Sequence, residues 1–109
     1  MVVDKRWSVQ DRYGNKIYLT QERWEHIIAP GNHPEMRRYE EHLQAVISVG
    51  TRKQDPSNPQ KFRYSKAFDD LAAANTHLVA IVLFRFGGED GSLPMPNNYI
   101  VTAYQKEIG

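Results

Sequence analysis

Residues His77–Phe86 read His-Leu-Val-Ala-Ile-Val-Leu-Phe-Arg-Phe, with seven uninterrupted apolar positions from Leu78 to Phe84. An apolar run of this length, rich in β-branched and aromatic residues and too short for an ordinary buried helix, predicts a strand covered on both faces in the middle of a sheet. Such a strand needs a neighbour on each side. Upstream, Thr51–Gln54 and Gln60–Lys66 flank the turn cluster Asp55-Pro56-Ser57-Asn58-Pro59, which predicts a hairpin. Downstream, Tyr99–Tyr104 resumes as a strand that pairs back on the central one after a loop over Gly87–Asn98, a stretch with three glycines and two prolines. Asp69–Thr76 is a turn or a short helical piece.

The cover for such a sheet lies earlier in the chain. Thr20 stands where a helix N-cap belongs, Glu22 falls in the first turn, and Trp24, Ile27 and Ile28 share one face, so a helix is predicted over Gln21–Ala29. Pro30-Gly31 stops it. Asn32-His33-Pro34-Glu35 restarts a second helix, with His33 as a capping residue, whose apolar side carries Met36, Tyr39, Leu43, Val46 and Ile47 and which ends at Gly50. Ahead of both, Trp7–Asp11 and Ile17–Leu19 are joined by Tyr13-Gly14-Asn15-Lys16, where Gly14-Asn15 can supply the positive φ angles of a tight turn. Helices before strands predict a single α+β domain over residues 1–109, with a helical layer on one face of an antiparallel sheet.

The residue inventory narrows the chemistry. There is no cysteine, which removes disulfides, thiolate metal sites and cysteine nucleophiles. Walker, G-x-G-x-x-G, G-x-S-x-G and H-E-x-x-H motifs are all missing. His26, His33 and His42 lie within seventeen residues, yet no pair has the i, i+4 spacing that puts two imidazoles on one helical face, so neither a metal nor a cofactor is predicted. The longest apolar run is far below the roughly 20 residues of a membrane-spanning helix. With charges at Asp4, Lys5 and Arg6 where a signal peptide would be apolar, a cytoplasmic location without membrane contact is predicted.

A net charge of +1 conceals an asymmetry: residues 1–66 carry 12 basic and 8 acidic side chains, residues 67–109 carry 2 and 5. The densest basic stretch holds Arg52, Lys53, Lys61, Arg63 and Lys66, interleaved with Phe62 and Tyr64. Two readings stand open. Basic and aromatic residues in alternation serve phosphate contact and base stacking, which nominates Arg52, Lys53, Lys61, Tyr64 and Lys66 as RNA-binding residues. The same residues also suit an edge strand protected from sheet-to-sheet association. His26, at the edge of the apolar face of its helix, is either a boundary histidine bonded to a backbone carbonyl or a general acid–base. Arg85, late in the apolar strand, is either ion-paired, with Glu25 as partner, or bound to phosphate. Arg63, Thr102 and Tyr104 can share a surface with it, the arginines balancing charge on a pentacoordinate phosphorus and the hydroxyls orienting it.

The series Leu19-Thr20-x-x-Arg23-Trp24-x-His26-Ile27, His33-Pro34-Glu35, Phe62-Arg63-Tyr64 and Ile100-Val-Thr-Ala-Tyr104 resembles the phage-associated branch of the barnase, EndoU, colicin tRNase and RelE-like nucleases, over most of the chain. The resemblance implies a barnase/RelE-like fold: a short N-terminal hairpin and two helices packed on one face of a four-stranded antiparallel sheet. It implies a metal-independent, toxin-like endoribonuclease that cleaves RNA by 2′-OH attack, with RNA as substrate and an antitoxin or immunity protein as partner. His26 is then the acid–base group, Arg63 and Arg85 the anion clamp, and Thr102 and Tyr104 further members of the active face. The alternative is a non-catalytic RNA- or protein-binding regulatory module on the same fold, and a third reading is a structural partner protein with Trp7, Tyr13 or Tyr18 as interface anchors.

Overall fold

The computed structural model describes residues 4–87 and 95–108. The elements run β1 (Lys5–Gln10), β2 (Lys16–Thr20), α1 (Gln21–Ile27), a 3-10 helix (Pro34–Tyr39), α2 (Glu40–Val49), β3 (Thr51–Asp55), β4 (Asn58–Ala67), β5 (His77–Gly87) and β6 (Met95–Lys106).

The six strands form one mixed sheet in the order β1-β2-β6-β5-β4-β3. This overturns the expected four-stranded antiparallel sheet with a separate hairpin, and with it the barnase/RelE-like layout. β3 to β6 pair antiparallel, but β2 docks parallel on β6 through Ile17↔Asn98 and Tyr18↔Tyr99, which carries the β1–β2 hairpin into the sheet. The physical reason lies in β6. It begins at Met95, inside the segment expected to be loop, and so offers an edge of free backbone groups to which β2 can bond while burying Ile17 and Leu19 completely. The rest of the expected loop, 88–94, lies outside the described residues.

Local chemistry explains the elements. The Asp11 carboxylate accepts from the Tyr13 and Asn15 amides at 2.9 and 2.7 Å, and Gly14 adopts φ +87°, so the β1–β2 turn is an Asx turn with one left-handed residue. Thr20 caps α1 by accepting from the Arg23 amide at 3.0 Å. α1 stops at Ile27, two residues sooner than expected, as the backbone tightens toward Pro30. The second helix starts as a 3-10 turn behind Pro34 and becomes α-helical only at Glu40; His33 gives it no side-chain cap, contrary to expectation. Gly50 ends α2 against the Ser65 carbonyl of β4.

Alternation divides the sheet into two faces. Leu78, Ala80 and Val82 of β5, Tyr64 of β4, Ala103 and Ile100 of β6, and Ile17 and Leu19 of β2 face the helices and form one core with Trp24, Ile27, Met36, Leu43, Val46 and Ile47. The odd-numbered side of β5 points the other way; Val79 and Tyr18 are buried there but take no part in that core. No described helix is long and apolar enough to cross a membrane.

Candidate nucleic-acid interface

The outer face of the sheet follows from the register. Thr102 pairs with Ile81, Ile81 with Arg63, and Arg63 with Lys53, which sets one row of side chains across β6, β5, β4 and β3. One step along lies a second row, Tyr104, Val79, Ser65 and Thr51. On the other side of the first is a third, Tyr18, Tyr99, Leu83 and Lys61. Adjacent strands stand about 4.8 Å apart, so Arg63 is roughly 5 Å from Lys53 and roughly 10 Å from Thr102 in backbone terms, within reach of its long side chain.

Arg63 is the centre of this face. Its Nε is buried and has no partner among the described residues. An unsatisfied buried donor on a cation costs about 1–3 kcal/mol or more, which an anion placed there would recover. Two cavities of ≈ 300 Å³ flank it. One is bounded by Thr51, Lys53, Ser65 and Lys106, the other by Lys53, Lys61, Pro56 and Ile81. Lysines outnumber the carboxylates of these cavities, which are Glu107 and Asp55, and Lys61 lies 3.8 Å from Asp55. Hydrogen bonds from the Ser57 hydroxyl and amide hold the Asp55 carboxyl below the usual carboxylate range, so it stays charged.

The sequence-predicted residues separate by face. Arg63, Thr102, Lys53 and Lys61 lie within the adjoining rows, and Tyr104 is two residues from Thr102 on the same side. Arg85 is also on the outer face and is exposed, not buried as its apolar neighbours suggested, and among the described residues it has no ion pair with Glu25. It stands four residues from Ile81, roughly 13 Å along β5, outside the cluster around Arg63.

Arg52, Tyr64 and Lys66 lie on the helix side, which corrects their reading as RNA contacts. Tyr64 is fully buried and donates its hydroxyl hydrogen to Asp11 Oδ2. Burial and that acceptor together raise its pKa. Arg52 donates to the Tyr64 hydroxyl at 3.2 Å, lies 3.8 Å from Asp11, and rests on the rings of Tyr13 and Phe62 at 4.3 and 4.4 Å. It is a half-buried cation packed among aromatic rings. Lys66 folds over the Phe68 ring at 4.5 Å. Period-two alternation assigns these three to the opposite face from Lys53, Lys61 and Arg63, so the basic stretch is split between the two faces of the sheet.

The histidines are rearranged as well. His26 is exposed on α1; its backbone carbonyl accepts from Asn32 and Ala29, and its side chain has no hydrogen-bond or ion-pair partner among the described residues. His33 is the histidine that meets the predicted active face: its ring lies 5.9 Å from that of Tyr104, and its Nδ1 is 3.5 Å from Glu35. His33 was expected only to cap a helix; its signal was the His-Pro-Glu series, which places an imidazole and a carboxylate two residues apart. His42 belongs elsewhere, between the Tyr39 and Phe68 rings and bonded to Asp70 at 2.8 Å. Among the described residues no three His, Asp or Glu side chains converge as a metal-ligand set.

Of the proposed interface anchors, Tyr18 is buried and the Trp7 indole donates to Glu40 at 2.9 Å, whereas Tyr13, although it lies under Arg52, remains exposed. No family model, no curated protein and no solved structure matches this chain.

Proposed function

We propose that the protein binds single-stranded RNA across the outer face of its sheet and cleaves it there by attack of the ribose 2′-OH on the adjacent phosphorus. The observation that carries this reading is the buried Arg63 Nε, without a partner among the described residues, set between two lysine-lined cavities and in the same strand row as Thr102. A phosphodiester is the ligand that satisfies such a group, because a guanidinium offers forked donors to two phosphate oxygens.

The chemistry asks little more of the chain. The 2′-oxygen forms a bond to phosphorus and the bond from phosphorus to the 5′-oxygen breaks, leaving a 2′,3′-cyclic phosphate and a 5′-hydroxyl. One group must take the 2′ proton and one must give a proton to the leaving oxygen. His33, backed by Glu35, takes the 2′ proton, and the Tyr104 hydroxyl beside it gives one to the leaving 5′-oxygen; Arg63 and Lys53 balance the negative charge that grows on the equatorial oxygens, and Thr102 donates a hydrogen bond to it. The short motifs that resemble those of phage-associated nucleases include His33, Arg63, Thr102 and Tyr104, which accords with this reading. A toxin-like role with a dedicated neutralising partner goes with that reading.

The test is incubation of purified protein with unstructured RNA in EDTA, followed by analysis of the product termini. Cyclic phosphate ends are expected, with a loss of at least about 100-fold for Arg63→Ala and about 10-fold or more for His33→Ala, within the range seen on removal of charge-stabilising and acid–base groups. His26→Ala, on an exposed helix position, serves as the comparison. RNA that is bound in a salt-dependent way but never cut, across single-stranded, tRNA and ribosomal substrates, would leave a binding module in place of the enzyme.

A further inference from the structure

Where β2 runs parallel to β6, the outer face holds a cavity of ≈ 270 Å³ that the phosphate chemistry does not use. Its walls are Tyr18, Thr20, Glu22, Arg23, Tyr99 and Ile100. The two tyrosine rings stand 6.0 Å apart and tilted by 40°, and the Tyr18 hydroxyl donates to Asn97 at 2.7 Å, which fixes that ring in place. Lys5 lies over Tyr18 at 4.5 Å. Tyr18 is itself buried, so the partly exposed Tyr99 is the aromatic surface that a ligand meets. Beside it, Glu22 offers an acceptor and Arg23 a set of donors.

We propose that this cavity takes one unstacked base of the bound RNA and prefers a base with an exocyclic amine over uracil. The assignment rests on the reading of the outer face as an RNA surface. A volume just under the roughly 300–1,000 Å³ of small-molecule pockets fits a single planar heterocycle and leaves the sugar and phosphate outside. Tyr99 is three residues from Thr102, roughly 10 Å along β6, so the backbone of that nucleotide leads toward the Arg63 row. Aromatic stacking is indifferent to base identity, and Glu22 and Arg23 make the choice. The amine of adenine, cytosine or guanine donates to the Glu22 carboxylate, while the neighbouring ring nitrogen or carbonyl oxygen accepts from Arg23. Uracil has no exocyclic donor; turned to Arg23 with one carbonyl, it presents either a lone ring N–H or a second carbonyl to Glu22.

The four 5′-nucleoside monophosphates, titrated separately while backbone amide NMR signals are followed, test the assignment. AMP, CMP and GMP are expected to move the signals of residues 18–23 and 99–100, with UMP weaker by about fivefold or more. Tyr99→Leu, which keeps a bulky apolar residue in the strand, is expected to weaken all four by about tenfold or more. Glu22→Gln is expected to bring UMP to within about twofold of CMP. Shifts confined to Arg63, Lys53 and their neighbours, equal for all four nucleotides, overturn the base site and leave the phosphate reading standing. Shifts at residues 18–23 and 99–100 with the expected base order, in a protein that leaves RNA uncut, keep the base site and remove the cleavage.

Discussion

Tyr64 of β4 donates its hydroxyl hydrogen to the carboxylate of Asp11, the residue that builds the β1–β2 turn, so one buried hydrogen bond ties the far strands of the sheet together. The Asp11 side chain is fully enclosed, and its one ion-pair partner among the described residues, Arg52, is 3.8 Å away. Removing the hydroxyl leaves a buried carboxylate short of a donor, which costs about 1–3 kcal/mol. Tyr64→Phe is therefore expected to lower the unfolding free energy measured in urea by that amount while leaving RNA affinity within about twofold. A large loss of affinity at unchanged stability would return Tyr64 to the RNA surface and contradict its burial.

Acid should loosen the same region. Burial pushes the Asp11 carboxyl up, but hydrogen bonds from Tyr64, Asn15 and Tyr13 outweigh it, so its pKa in the folded protein is lowered; the hydrogen bond from Arg6 lowers that of Glu40. A carboxyl with a lowered folded pKa contributes stability above its unfolded value, about 3.9 for Asp and 4.3 for Glu, and loses it as pH falls through the folded value. Stability is expected to be nearly level from pH 7 to about 5 and to drop below about 4. Asp11→Asn keeps the shape without the charge. The gap in unfolding free energy between it and the parent, measured in urea, is expected to shrink between pH 7 and pH 3; a constant gap would mean that charge on Asp11 contributes nothing.

Gly50 joins α2 to β3, where a side chain has no room. A Cβ there would collide with the Val46 carbonyl and approach the Ser65 carbonyl to 2.8 Å, and both are backbone atoms held by a helix and a strand. Its φ of −71° is open to any residue, so the constraint is space and not conformation. Gly50→Ala is expected to cost about 1–3 kcal/mol or more, as overpacking does, read as a lower melting temperature with unchanged far-UV circular dichroism. A cost below about 0.5 kcal/mol would show that α2 and β4 separate easily.

Periodicity made much of this fold legible. The 3.6-residue pattern of Leu43, Val46 and Ile47 located α2, and the continuous apolar run located β5, because both signals are local. The docking of β2 on β6 joins Tyr18 to Tyr99 across some eighty residues, and no window of the sequence contains it. The same limit governs the site. Thr102 and Tyr104 share a face by alternation alone, whereas the contact of His33 with Tyr104 depends on how the connection after α1 meets β6. The basic stretch divides most sharply between the two faces. Arg52 and Lys53 are adjacent and chemically alike, yet one packs among aromatic rings and the other lies on the outer face.

That adjacency provides a paired test. Arg52 is half-buried, bonded to Tyr64 and packed on Tyr13 and Phe62, so Arg52→Ala strips a cation from beside the buried Asp11 carboxylate. A loss of about 1–3 kcal/mol in unfolding free energy is expected, the cost of removing a charged hydrogen-bonding partner from a buried group that keeps its other donors. Arg63→Ala removes a cation with no partner among the described residues, and its stability is expected to change by less than about 1 kcal/mol or to rise. RNA affinity should follow the opposite order. Arg63→Ala is expected to weaken binding and reduce the slope of log affinity against log salt by about 0.7, the contribution of one phosphate contact on a single strand, with the slope for Arg52→Ala unchanged. Equal slopes for the parent and Arg63→Ala would remove phosphate from the outer face.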